Sequence, residues 1–121
     1  MSGTIKSTIG IEHTNGALSI PVSPSTITRT QTAVMASKKV QTIGTSQESL
    51  DFDDVATPTE VYLKNIDSTN YVEIGLDVGG FQGLLRLGPG VQNSITLKPG
   101  VTVKALANTA PVGLLIAAYD A

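Results

Sequence analysis

The chain has 121 residues, about the length of one domain, of which 40% are hydrophobic and only 15% charged, with a net charge of −2. It contains no cysteine and a single histidine, His13, which excludes disulfides, thiolate metal sites, cysteine nucleophiles and a His-only metal site within one chain. The mildly acidic balance argues against general nucleic-acid binding, which needs clustered Lys and Arg.

No apolar run reaches the roughly 18 residues of a membrane span. The N-terminal MSGTIKSTIG has no apolar signal core, so neither a membrane location nor secretion is expected. Fifteen Thr, ten Ser and twelve Gly in a chain so poor in charge point to an all-β protein with many turns.

Ile5, Ile9 and Ile11 alternate with Lys6, Thr8 and Glu12, the period-two pattern of a half-buried strand. Asn15-Gly16 predicts a hairpin turn, with a return strand over 17–22 kept short, or at an edge, by Pro21 and Pro24. Residues 26–43 read as an extended segment or two short strands. The alternatives are a helical turn at Ala33–Ala36 and a solvated arm that orders on a neighbouring subunit. Leu50 and Phe52 share a face within 47–54.

The clearest hairpin in the pattern joins residues 60–66 to 71–76 through the turn Asp67-Ser68-Thr69-Asn70. A second turn at 77–80 leads to a strand over 81–87. Gly88-Pro89-Gly90 and Lys98-Pro99-Gly100 then read as two further hairpin turns around a short strand at 94–97. Val101, Val103 and Ala105 alternate, and Val112 to Tyr119 is almost wholly apolar. That last segment is a central strand buried on both faces, or one covered by a partner. The sum is about eight strands with frequent turns: an antiparallel β-sandwich, jelly-roll-like, with an extended N-terminal segment.

Residues 1–46 carry Lys6, Arg29, Lys38 and Lys39 against Glu12, a net of +3, while residues 47–121 carry −5. All five aromatics lie in the second part, and aromatics bring large buried area. The expected organisation is an extended arm and hairpin over 1–46 and a compact sandwich over 47–121.

Chemistry-bearing groups are few. Glu48, Asp51, Asp53 and Asp54 form one acidic cluster, read as a solvated turn, with an ion site as the alternative. His13 reads as a turn residue, with no oriented Ser or Asp partner. Arg86 pairs with Glu73 or Asp77 across a hairpin. Tyr62, Tyr71 and Phe81 are the aromatics from which a sugar platform would be built. The glycines at 79, 80 and 83 lack the following helix that a phosphate cradle needs. No catalytic residue, cofactor or metal site is assigned. Sparse charge and an apolar last strand leave sheet edges in need of cover, which predicts a homo-oligomer.

Three stretches carry a resemblance over Gln41 to Ala107: QTIGTSQESLDFDDV, then VYLKNIDSTNYVEIGLD, then LLRLGPG with ITLKPGVTVKALA. They hold a Lys-Asn, turn, Asn-Tyr-Val unit at Leu63 to Gly75. Leu-x-Pro-Gly turns follow at 87–90 and 97–100, and a V-x-V-K-A strand at 101–105. This resembles small β-sandwich structural proteins of tailed bacteriophages. The resemblance implies a non-enzymatic virion component made in the cytoplasm of a bacterial host. It most resembles capsid decoration or cement proteins, which are often trimeric and bind the major capsid protein where capsomers meet.

The basic, Thr-rich first part would suit an arm laid on an acidic capsid surface. Arg29, Lys38 and Lys39 are assigned to that contact from charge alone. A tail, baseplate or head–tail connector component is the alternative within the class. A carbohydrate-binding sandwich is the alternative outside it, and a glycosidase-like enzyme using Asp51 and Asp53 is a third.

Overall fold

The computed structural model describes residues 3–31 and 35–120. The chain is all-β and divides into two compact units, an N-terminal one and a second spanning Met35–Asp120.

The N-terminal unit is an antiparallel ribbon of β1 (Gly3–Ile11) and β2 (Val22–Gln31). Alternation along β1 puts Ile5, Ser7, Ile9 and Ile11 on one face and Thr4, Lys6 and Thr8 on the other. Thr8 stands opposite Thr26, with their Oγ1 atoms 2.7 Å apart. Asn15-Gly16 does form the tip. Asn15 N–H donates to the Leu18 carbonyl at 2.8 Å, and Gly16 takes the positive φ of 61° that such turns require.

The return strand is not 17–22, however. Regular pairing resumes at Val22 and continues to Gln31. Pro24 is accommodated at a register shift between Ile9 and Ile11, where Gly10 offers no side chain. A Cβ on Gly10 would lie 2.9 Å from Pro24 Cα. A bulge on an edge strand is where a sheet tolerates proline. Of the run expected as a possible helical turn, Ala33 and Val34 lie outside the described residues, and Ala36 opens a strand.

The second unit is a sandwich of two four-stranded antiparallel sheets. One has the order β3 (Ala36–Ile43), β10 (Val112–Tyr119), β5 (Glu60–Asn65), β8 (Gln92–Thr96). The other has the order β4 (Glu48–Ser49), β9 (Lys104–Ala107), β6 (Val72–Asp77), β7 (Phe81–Leu87). The pairing is nested: β3 with β10, β4 with β9, β5 with β8, β6 with β7. This is the order produced by folding one long hairpin in two. The compact unit starts at 35, so residues 36–46, placed with the arm in the sequence reading, enter the sandwich through β3.

Three local expectations change with this topology. Residues 60–66 and 71–76 are strands, but β5 and β6 lie in different sheets, so the 67–70 turn is a corner and not a hairpin. The two Pro-Gly turns are also corners, carrying the chain from β7 to β8 and from β8 to β9 between sheets. Within the second unit only 78–80, closed by Val78 N–H on the Gly80 carbonyl, joins sequence neighbours as a hairpin. A strand with one apolar row can bury that row against either sheet, so alternation does not choose between a hairpin and a corner.

β10 is a central strand, paired on both edges to β3 and β5. Its inner row of Val112, Leu114, Ile116 and Ala118 is fully buried. Val61, Leu63, Val72, Ile74, Leu87, Ala105 and Ala107 meet it, and Ile43, Leu50 and Val103 complete the cluster. The core is aliphatic throughout. The aromatics, expected to supply it, stay at its margin, where Phe52 packs only partly buried. Each fully buried aliphatic side chain contributes roughly 1.5–3 kcal/mol.

One polar residue lies fully inside, Asn65 at 0% exposure. Its Nδ2 donates to the Asn70 carbonyl (2.8 Å) and the Leu87 carbonyl (2.9 Å), and its Oδ1 accepts from Asp67 N–H (2.8 Å). The side chain thus ties the end of β5 to the end of β7 in the opposite sheet and shapes the corner between β5 and β6. Asp67 continues the corner by accepting from Thr69 and Asn70 N–H. Gly75 marks a second fixed point. It sits at the β6–β7 bulge, where a Cβ would fall 1.9 Å from the Gln82 carbonyl oxygen.

Replacing Asn65 with Ala strips partners from a buried carbonyl, a part-buried carbonyl and an N–H, and should cost about 3 kcal/mol of unfolding free energy. Gly75→Ala should cost about 1–3 kcal/mol by forcing the bulge open. Urea unfolding followed by tyrosine fluorescence reads both. A change under about 0.5 kcal/mol in either would contradict the role assigned to that residue.

Candidate interaction surfaces

β3 is an edge strand whose alternation separates Lys38 from Lys39. Lys38 stands opposite Ala117 on the outer face, with Val40 and Thr42. Ser37, Lys39 and Gln41 point inward, in the row that ends at buried Ile43. Each of the three holds the segment that follows β4. Ser37 Oγ donates to the Phe52 carbonyl at 3.1 Å. Lys39 Nζ bonds Asp51 and, at 3.0 Å, Asp53. Gln41 Nε2 donates to Glu48 Oε1 and the Ser49 carbonyl, while its Oε1 accepts from Asp51 N–H at 2.8 Å. Glu48 then accepts from Gly44 N–H.

This zipper decides what the acidic cluster does. Asp51 and Asp53 do share a face, and the Lys39 ammonium occupies the place between them that a cation would take. Asp53 adopts φ 54° and donates its N–H to Asp51, a local turn that the short polar side chain tolerates. Among the described residues no group of three or more acidic or His side chains is arranged to hold a metal. The hydrogen bond from Lys39 holds the Asp51 carboxyl below its ordinary 3.8, helped by Asp53 N–H and opposed by desolvation. Reciprocally, the two aspartates raise Lys39 above 10.5.

The three residues assigned to partner contact therefore occupy different settings. Arg29 lies on the ribbon, on the Ile5 face. Lys38 points outward from the sandwich. Lys39 is spent on the two aspartates. His13 serves the ribbon turn: Ile20 N–H donates to its Nδ1 at 3.0 Å, and Ser19 Oγ donates to its carbonyl.

Arg86 stands directly opposite Glu73, 3.9 Å away, and lies 4.1 Å over the Tyr71 ring. Asp77, the other partner considered for it, instead accepts from Gly80 N–H. The aromatic platform does not assemble. Tyr62 bonds Gln92 on the sheet containing β5, Tyr71 lies under Arg86 beside the other sheet, and Phe81 starts β7.

Two features were missed in the sequence. Glu60 is 8% exposed and accepts from Ser94 Oγ (3.2 Å) and Thr96 Oγ1 (3.1 Å) on β8. Its position in an alternating strand marked it as outward, and only the cross-strand hydroxyls explain its burial. The other is the pairing of residues 22–31 with 3–11, which gives the ribbon two unlike faces. The Thr4, Lys6, Thr8 row meets Thr30, Thr28 and Thr26, so one face carries hydroxyls and a lysine. The opposite face carries exposed Ile9, Ile11, Val22 and Ile27. The parity of the threonines at 26, 28 and 30 was the available signal.

The sandwich edges are managed by the devices sheets commonly use. β3 points a charge inward, β4 is two residues long, β7 is bulged, and β8 has five residues. No helix long and apolar enough to cross a membrane occurs among the described residues. Comparison with known proteins finds no matching family model, no matching curated protein and no matching solved structure.

Two acid-sensitive links follow. Asp51 is lowered mainly by Lys39, and Asp67 by the N–H groups of Asn70 and then Thr69. A carboxyl lowered in the folded state stabilises above its unfolded value and loses that contribution as pH falls through the folded one. Stability should therefore drop as pH falls below about 4. Lys39→Met should flatten that acid limb and also the alkaline limb above 10.5, where a raised lysine loses its contribution. Melting temperature against pH for the two proteins checks this, and parallel curves would contradict it.

Proposed function

We propose that this chain is a structural component of a bacteriophage virion, a capsid decoration protein that binds the outer shell and stabilises the head. The observation that carries the reading is the architecture itself: an edge-managed sandwich joined to a separate two-faced ribbon. The nested strand order, read as a double-sheet jelly roll, is an arrangement that recurs in viral capsid and lectin domains. Fold alone does not assign function, so the surfaces must decide.

They favour contact over catalysis. The acidic pair that an enzyme would use is neutralised by Lys39, and the His13 ring is an acceptor for a turn N–H. A saccharide platform would need coplanar aromatics, whereas Tyr62 and Tyr71 belong to different sheets. The chain offers long hydroxyl-rich and apolar strand faces, which suit flat protein surfaces. A tail, baseplate or connector position uses the same chemistry and differs only in location on the particle.

Arg29 and Lys38 are the assigned contacts to an acidic shell, and Lys39 holds the sandwich together. On phage heads lacking their decoration, the R29A/K38A variant should bind about tenfold more weakly at physiological salt. Lys39→Met should lower thermal stability instead of affinity. Co-sedimentation with heads, alongside tails as a control, measures this. Absence of wild-type binding to heads would overturn the decoration reading, and binding to tails alone would select the alternative. A saccharide-dependent change in tyrosine fluorescence would favour the lectin class.

A further inference from the structure

The ribbon presents a physical problem that the sandwich does not. A two-stranded ribbon alone in water is marginally stable at best and needs its apolar face covered. Here that face is long. Ile9 is 55% exposed, Ile11 57%, Val22 54% and Ile27 56%, with Leu18 and Ile20 in the connecting loop exposed to a similar degree. The other face, built of Thr4, Lys6, Thr8, Thr26, Thr28 and Thr30, is suited to water. Such strict sidedness is the mark of a sheet that buries one face.

The chemistry of the face indicates its occupant. Its only charge is Arg29, at the end away from the turn, opposite Ile5. It has no aromatic or acidic group to select a sugar or a basic partner. Its middle is a checkerboard, with Ile27 paired to Ser7 and Ile9 paired to Ser25. Ile9 and Ile27 therefore each stand beside a small hydroxyl residue, a knob next to a gap. A surface of that kind is complementary to itself, which is what a contact between identical subunits requires. Ile9, Ile11, Val22 and Ile27, each more than half exposed, would form the apolar centre of a contact whose standard size is roughly 800 Å² a side. A cover needed as soon as the chain folds is also one that identical copies supply in equal number.

We propose that the Ser7–Ile11 and Val22–Ile27 face of the ribbon is the self-association surface of this protein, buried against the same face in a second copy. The contact is made through side chains of the ribbon faces, with isoleucines of one copy entering the serine gaps of the other. The apolar strand β10 plays no part in it, since both its edges are paired within its own sheet. The proposal does not depend on a viral role.

The test uses the full chain without particles, so its failure is separate from failure of the virion reading. Sedimentation equilibrium should show the wild type as a dimer or higher oligomer. The I9T/I27T variant keeps β-branched side chains and matches the opposite face. It should weaken association at least about tenfold while leaving sandwich unfolding unchanged. Because the chain has no cysteine, Ser25→Cys provides a direct probe. It should form disulfide-linked dimers under mild oxidation, whereas Thr28→Cys on the hydroxyl face should not. A wild type that stays monomeric up to roughly 100 µM would overturn the proposal. So would an oligomer indifferent to I9T/I27T, or equal cross-linking from both faces.

Discussion

β10 is hydrogen-bonded along both edges, to β3 on one side and β5 on the other, and its inner row forms the floor of the core. Without it, β3 has no partner and β5 keeps only β8. The pairing joins segments on the order of 70 residues apart, so its closure entropy must be offset by the aliphatic cluster that forms at the same time. The nested order follows from the same constraint. With the ends of the sandwich paired, β4 meets β9, β5 meets β8, and β6 turns directly into β7.

An aliphatic core is non-directional and tolerates sliding. Register here is held by directional groups at one corner and along one edge strand. Asn65 fixes the corner between β5 and β6 and reaches the end of β7. The inward side of β3 fixes one edge, where Ser37, Lys39 and Gln41 each grip the chain between Glu48 and Asp53. Both sets are satisfied hydrogen-bond networks, which favour one arrangement over near alternatives. The exposed ion pairs contribute specificity more than free energy. The apolar face of the ribbon is exposed, and its stability is therefore tied to whatever covers its isoleucines.

The strands themselves were legible. Alternation located β1, β5 and β6, bounding turns located β7, an apolar run located β10, and Asn15-Gly16 marked a true turn. The partners of those strands were not. The 60–66 and 71–76 segments read as neighbours because a polar turn separates them, yet the turn is a corner stabilised by Asn65, whose partners lie 5 and 22 residues away. The pairing of β2 to Gln31 was masked by its prolines, since Pro24 is tolerated only because Gly10 stands across from it. Lys39 looked like a free docking charge next to Lys38 because adjacency in sequence hides opposite faces of a strand.

By itself, the sequence determined the class: a β-rich chain without thiol chemistry, in which period-two patterns choose which side chains face inward. Alternation is a local property, set by the pleat of the backbone. Tertiary structure decided which sheet each strand joins, which charges are neutralised and which apolar face stays open. Those outcomes depend on contacts between distant segments, such as Lys39 with Asp51 and β3 with β10. No local pattern encodes a partner that arrives from the far end of the chain.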